Sequence, residues 1–223
     1  MPIGAYKTII FCEGKRDMIF IKEVVNCILT LNLPIKLYSK TSSLVNDIRL
    51  ERQAEISLVN GKGFPGCIKV AIHFSRDLWY KEGLHNIGVI ADSDKGPIYQ
   101  RMVQYLIKYI NTPCKSHVVH PEISKLNSRK TVNVSVGESH NILLWALEVP
   151  ESLEIQMSRV LKRKYPSLRK YKTEDEILAA ACDKLNITSE ELVKLCVRLF
   201  ENKPWFERWC NSLVKRIRIN NRN

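Results

Sequence analysis

The chain has 223 residues, 45% of them apolar and 26% charged, which is enough hydrophobic material to bury a core without disulfide staples. That length exceeds the ~100–150 residues of a single typical domain and fits one α/β core with an appended piece; the composition excludes disorder, collagen and coiled coil. Lysine and arginine number 35 against 23 acids, a net charge of +12 that favours a polyanionic partner, nucleic acid first.

Seven cysteines form no C-x-x-C pair, and several sit in apolar runs, as Cys12 and Cys27 do. This pattern predicts reduced, buried thiols in an intracellular protein. The N-terminus has no basic region leading into a long apolar stretch, and no apolar run approaches the ~20 residues that span a bilayer. The expected compartment is the cytoplasm, with no membrane partner.

Lys7–Cys12 is a β-branched and aromatic run that stops at Glu13-Gly14, and Asp17–Leu31 then places Met18, Ile21, Val24, Val25, Ile28 and Leu31 at helical spacing. Residues 33–54 read as an insertion. Ile56–Val59 is a second strand, ending in the loop Asn60-Gly61-Lys62-Gly63, and Cys67–Leu84 again has helical spacing. Ile87–Ala91 is apolar apart from Gly88, as a strand covered on both faces should be. It breaks at Asp92-Ser93-Asp94-Lys95-Gly96-Pro97 before the predicted helix Ile98–Ile110. Three βα units in succession predict a mainly parallel sheet flanked by helices.

Further strands are predicted at Ser116–Val119 and Asn141–Leu147, with Lys125–Ser135 polar, basic and hard to place. From Glu151 onward strand character disappears and four helical segments follow, with capping signatures at Thr173-Glu174-Asp175-Glu176 and Thr188-Ser189-Glu190-Glu191. The predicted division is residues 1–150 as an α/β catalytic domain and 151–223 as a helical C-terminal subdomain.

In a parallel α/β sheet the functional crevice lies beyond the carboxyl ends of the strands, and two acidic clusters fall there. Glu13 follows the first strand, with Gly14 allowing a close turn and Asp17 one helical turn on. Asp92 and Asp94 follow the third. Residues i and i+2 of an extended chain point the same way, so this pair can present two carboxylates to one hard cation, with Glu13 approaching from a neighbouring strand. In so basic a chain, such a cluster calls for a divalent metal and a phosphate-bearing substrate. An acid-rich turn taken alone is more often a helix-capping loop; the weight lies in the two motifs at equivalent strand ends.

The segment Thr8–Phe20, with Glu13-Gly14-Lys15-Arg16-Asp17 at its centre, followed about 75 residues later by Ile87–Asp94, resembles the Toprim domain. Topoisomerases, bacterial-type primases, OLD-family nucleases, RecR-type repair proteins and the 5S ribosomal RNA maturase share that domain. The resemblance covers roughly residues 5–150. It implies a Toprim-like, Rossmann-like α/β fold and a Mg²⁺- or Mn²⁺-dependent nuclease or related phosphotransfer enzyme acting on DNA or RNA. By the resemblance, Glu13 is general acid/base or metal ligand and Asp92 and Asp94 hold the metal. Lys15, Asp17 and the Gly61-Lys62-Gly63 loop match the small stand-alone and OLD-type branch.

Two departures matter. Gly96 stands where some members carry a third acid, so a second metal would need Glu148, Glu154 or Asp17 as donor. No topoisomerase tyrosine domain or primase zinc module is recognisable. The implied mechanism has Asp92 and Asp94 holding one ion on a phosphate oxygen while Glu13 positions or deprotonates a water for in-line attack. Lys15, Arg16, Lys62 and Lys95 form a rim that clamps flanking phosphates. Two alternatives stand beside it: an RNA-maturase-type processing enzyme, and a non-catalytic nucleic-acid-binding or assembly module that keeps the acids as remnants.

Other signals carry less. Cys114, His117 and His120 mimic a zinc spacing without a fourth ligand, and Cys12 has no histidine nearby in sequence. Trp145, Trp205, Phe206 and Trp209 suit core packing better than base stacking. The basic runs Lys162–Lys164, Arg169–Lys172 and Lys215–Arg218 fit either a solvated face or phosphate binding.

Overall fold

The structure is a computed structural model describing residues 7–31, 33–50, 52–78, 83–110, 122–127, 131–136 and 140–218. The strand expected at 116–119 and the trio Cys114, His117 and His120 lie outside those residues.

Among the described residues, seven strands form one sheet: β1 (Thr8–Cys12), β2 (Ile35–Tyr38), β3 (Ile56–Asn60), β4 (Gly83–Asp92), β5 (Glu122–Asn127), β6 (Thr131–Val136) and β7 (His140–Val149). Their order is β2-β3-β1-β4-β7-β6-β5, the first five mutually parallel, with β6 antiparallel to both β7 and β5. The middles of the central strands are apolar because both faces are covered: Ile9, Ile10, Phe11 and Cys12 of β1 and Ile87, Val89 and Ile90 of β4 are all buried.

The helices are α1 (Lys15–Glu23), α2 (Thr41–Arg49), α3 (Gly66–Leu78), α4 (Ile98–Ile110), α5 (Leu153–Lys164), α6 (Glu174–Leu185), α7 (Ser189–Phe200) and α8 (Pro204–Arg218). One apolar cluster packs α1 and α5 to α8 on one face of the sheet, through Ile10, Leu58, Ile90 and Trp145. A second packs α2, α3 and α4 on the other, through Ile9, Phe11, Val89 and Leu144. The C-terminal helices therefore share their core with one side of the sheet. Phe20 of α1 meets Phe200, Phe206 and Trp209 at ring-centroid distances of 6.2, 6.2 and 5.3 Å. Each such pair adds about 0.5–1.5 kcal/mol beyond its buried area. Trp145, Phe206 and Trp209 are buried, so these aromatics are core rather than stacking platforms.

Several expectations are corrected. Residues 33–54 are not an insertion: they form β2 and α2, a full βα unit at the sheet edge. The stretch 125–135 contributes to β5 and β6, an antiparallel extension of the sheet. The helix expected to reach Leu84 ends at Leu78, since β4 starts at Gly83. The helix expected to run to Leu31 is α-helical to Glu23 and π-helical over Val24–Ile28, with Leu29 N–H donating to the Val24 carbonyl five residues back (2.9 Å). Cys27 is exposed and donates to Glu23 Oε1 (3.0 Å), whereas Cys12, Cys67, Cys196 and Cys210 are buried.

Candidate functional site

β1 and β4 are neighbours, yet the helices that follow them leave for opposite faces, α1 to one and α4 to the other. That divergence opens a crevice at their carboxyl ends, the place where open α/β sheets bind ligands. Glu13 and Asp92 are the residues at its two lips.

They are joined directly. Glu13 Oε1 accepts from the Asp92 backbone N–H (2.9 Å), and Asp92 Oδ1 accepts from the Leu153 N–H at the start of α5 (3.1 Å). Asp17 Oδ2 reaches back to the Gly14 N–H (2.9 Å), as an acid in the first helical turn does to satisfy an unpaired donor. Arg16 pairs with Glu154 at 2.5 Å across the opening between α1 and α5.

These acids repel one another. Burial pushes the Asp92 carboxyl from its ordinary 3.8 to about 8, reinforced by Asp17 and Glu13 and opposed by the Leu153 N–H, with Glu154 adding repulsion. Burial likewise pushes Asp17 from 3.8 to about 7, against the pull of the Gly14 N–H and with repulsion from Glu154 and Glu13. Two neighbouring thiols, Cys12 and Cys67, are pushed up chiefly by burial, Cys67 to about 12, so neither is a thiolate nucleophile near neutral pH.

No known family, curated protein or solved structure matches the chain.

The glycine loop after β3 shapes its floor. Gly61 N–H donates to the Cys12 carbonyl and Gly63 N–H to the Glu13 carbonyl, both at 2.7 Å. A Cβ at Gly61 would lie 2.3 Å from Cys67 Cβ and 2.8 Å from the Cys12 oxygen, so only glycine permits this approach. Gly14, by contrast, is extended (φ −147°), and a Cβ there would make an ordinary 3.6 Å contact with Asp17. The close turn expected of Gly14 belongs to Gly61.

The remaining expected residues separate. The chain does not stay extended past Asp92: Ser93–Lys95 is a 3₁₀ turn, so the i, i+2 geometry does not hold, and Asp94 sits exposed on that turn with its N–H on the Glu151 carbonyl (3.2 Å). Asp17 and Glu154 join Glu13 among the acids that raise the Asp92 carboxyl. Glu148 caps α4 by accepting from the Ile98 N–H (3.2 Å). Lys15, the first residue of α1, and Lys62, in the loop that carries Gly61, are exposed, while the Lys95 side chain lies outside the described residues.

Among the described residues, no group of three or more His, Cys, Asp or Glu side chains is arranged to hold a metal ion. Glu13, Asp92 and Asp94 are thus not gathered into one three-carboxylate set. The donors are nonetheless hard oxygens whose repulsion a divalent cation relieves. They suit Mg²⁺ held by one or two carboxylates, with water and phosphate completing the shell, better than an all-protein cage.

A contributor that sequence reasoning missed is the start of α5. Ser152 caps it, accepting from the Ile155 N–H (3.2 Å), and its first N–H holds Asp92. The preceding Glu151 has φ +59°, and its N–H donates to Ser93 Oγ (2.7 Å). Ser152-Leu153-Glu154 has the residue types of a helix start; that it points at Asp92 is a tertiary fact.

Proposed function

We propose that the chain is a divalent-metal-dependent phosphodiesterase of Toprim type, acting on DNA or RNA. The observation that carries this is the direct coupling of Glu13 and Asp92 across the crevice between β1 and β4, within an acid cluster of a protein carrying +12. The Toprim-like motifs around Glu13 and Asp92 add support.

Asp92 and Glu13 would hold Mg²⁺ or Mn²⁺, which when bound supplies Lewis-acid stabilisation of charge on a phosphate oxygen. The chain's own groups do the rest. The Leu153 N–H fixes the Asp92 carboxylate, and the Asp92 N–H fixes Glu13 beside it, so Glu13 can orient a water for in-line attack. Asp17, pushed up to about 7, can accept or release a proton near neutral pH. Lys15 and Lys62 stand where flanking phosphates would pass.

The test is cleavage of plasmid, single-stranded DNA and structured RNA with Mg²⁺, Mn²⁺ or EDTA. Metal-dependent cleavage that Glu13→Gln and Asp92→Asn abolish supports the proposal. A second reading, a non-catalytic nucleic-acid-binding module, is favoured by the missing three-ligand group among the described residues. Salt-sensitive binding without metal-dependent cleavage would select it.

A further inference from the structure

The connection between α5 and α6 carries Lys162, Arg163, Lys164, Arg169, Lys170 and Lys172 within eleven residues that hold no acid. Five of these six are exposed, Lys162 is half-buried, and none makes an ion pair among the described residues. Lys162, Arg163 and Lys164 complete the last turn of α5, where cations favour the helix dipole. Arg169, Lys170 and Lys172 lie beyond that turn, on and just after the short 3₁₀ segment Pro166–Lys170, which offers little dipole to offset them.

The backbone beneath these cations is fixed. Leu168 is buried, Tyr165 and Tyr171 pack against the same core, and Lys184 Nζ donates to Ser167 Oγ (2.5 Å). Tyr165 N–H donates to Leu161 (2.7 Å) and Leu168 N–H to Tyr165 (3.0 Å). A charged surface held this way binds without first ordering itself. On the far side the acids of α6 bound the patch: Glu176 is turned onto the Lys172 and Thr173 N–H groups, while Glu174 and Asp175 face solvent. The leucine and tyrosines of the turn face the core, so it offers no apolar wedge of the kind that anchors a surface to lipid.

α5 links this turn to the candidate site. Its first residue, Leu153, holds Asp92, and its twelve residues span about 18 Å, or about five 3.4 Å steps along one nucleic-acid strand. We propose that the α5–α6 turn is a phosphate-backbone clamp for nucleic acid, engaging the strand about five nucleotides from the point where Glu13 and Asp92 act. The spacing rests on the phosphodiesterase reading; the clamp itself does not.

The experiment compares full-length wild type with the quadruple variant R163Q/K164Q/R169Q/K170Q. Binding to labelled single-stranded DNA and RNA of roughly 20 nucleotides, and to a duplex of that length, is measured in EDTA between about 50 and about 200 mM KCl. At matched thermal stability, the variant should bind at least about tenfold more weakly, with its log–log salt slope reduced by about 3. The charge-preserving variant R163K/K164R/R169K/K170R should bind as wild type does. Affinity and slope within about twofold of wild type would overturn the clamp. So would a variant that loses binding only to phosphatidylserine vesicles. Cleavage separates the two readings: a variant defective in binding, alongside a wild type that never cleaves, leaves the clamp standing and removes the phosphodiesterase. A cleaving wild type with variant binding unchanged does the reverse.

Discussion

Glu13 at the end of β1 accepts a hydrogen bond from the backbone N–H of Asp92 at the end of β4 (2.9 Å), so the two strand ends that diverge to opposite faces are tied together by the residue expected to act on substrate. Gln in place of Glu13 keeps an acceptor oxygen for that N–H and removes the charge. Glu13→Gln should therefore lower metal-dependent cleavage at least about 100-fold, as loss of a positioned acid/base does. The loss of a single charge-assisted bond limits the stability change to about 1–2 kcal/mol. Cleavage rate and chemical denaturation on the same preparation check both. Undiminished cleavage in this variant and in Asp92→Asn would remove the assignment.

The acid cluster makes stability depend on pH in a fixed sense. Asp92 and Asp17 titrate at 3.8 when unfolded and at about 8 and about 7 when folded. The folded state thus binds more protons across that window, and stability, complete below about 4, declines as pH rises through about 7 to 8. Thermal midpoints of the protein in EDTA should fall between pH 5 and pH 8.5, and Asp92→Asn should flatten the slope. Mg²⁺ added at pH 8 should restore part of the loss, since it stabilises the ionised form. A flat profile in EDTA would contradict the coupling. Glu154→Gln removes one source of repulsion and should also shallow the decline; Arg16→Gln, which strips Glu154 of its partner, should steepen it.

What the sequence revealed and concealed follows from which physics was local. Continuous apolar runs mark buried parallel strands, so β1, β3 and the core of β4 were legible, as were α4 and the capping boxes at Thr173 and Thr188. β2 was missed because it is an edge strand whose Lys36 and Leu37 are exposed, leaving no apolar run to find. Glu13 and Asp92 were legible because strand ends locate them. Asp94 was misplaced because the pairing rule needs an extended chain and Ser93 begins a turn. The Leu153 N–H is a backbone donor delivered from 61 residues away, which no side-chain pattern announces.

Gly61 and Gly14 differ in a way that substitution should expose. Ala at position 61 would press its methyl group into Cys67 and the Cys12 carbonyl, inside the range where something must move. Gly61→Ala should cost about 2–3 kcal/mol or more and disturb Glu13, whose carbonyl the same loop holds. Gly14→Ala meets only Asp17 at 3.6 Å and should cost no more than about 1 kcal/mol, the difference between two helix-capping residues. Urea denaturation of both variants decides it; equal losses would mean the loop relaxes freely.

At the opposite end of the sheet, Trp145 Nε1 donates to Asn86 Oδ1 (2.6 Å), while Asn86 Nδ2 donates to Thr8 Oγ1 (3.0 Å) and to the Arg216 carbonyl (2.9 Å). One buried amide thus ties β1, β4, β7 and α8. Gly88 makes room for it, since a Cβ there would lie 2.3 Å from the Trp145 ring. Asn86→Leu keeps the branched shape and the number of heavy atoms but leaves the indole N–H and the Arg216 carbonyl without this partner, at about 1–3 kcal/mol for each buried group. The variant should lose about 2–4 kcal/mol, and amide exchange should accelerate first in α8, whose packing on β7 that carbonyl bond secures. Cleavage by the folded fraction should be unchanged, because the network lies a strand's length from Glu13. Uniform acceleration across the sheet, with α8 no faster than β1, would show that Asn86 does not pin the C-terminal helix.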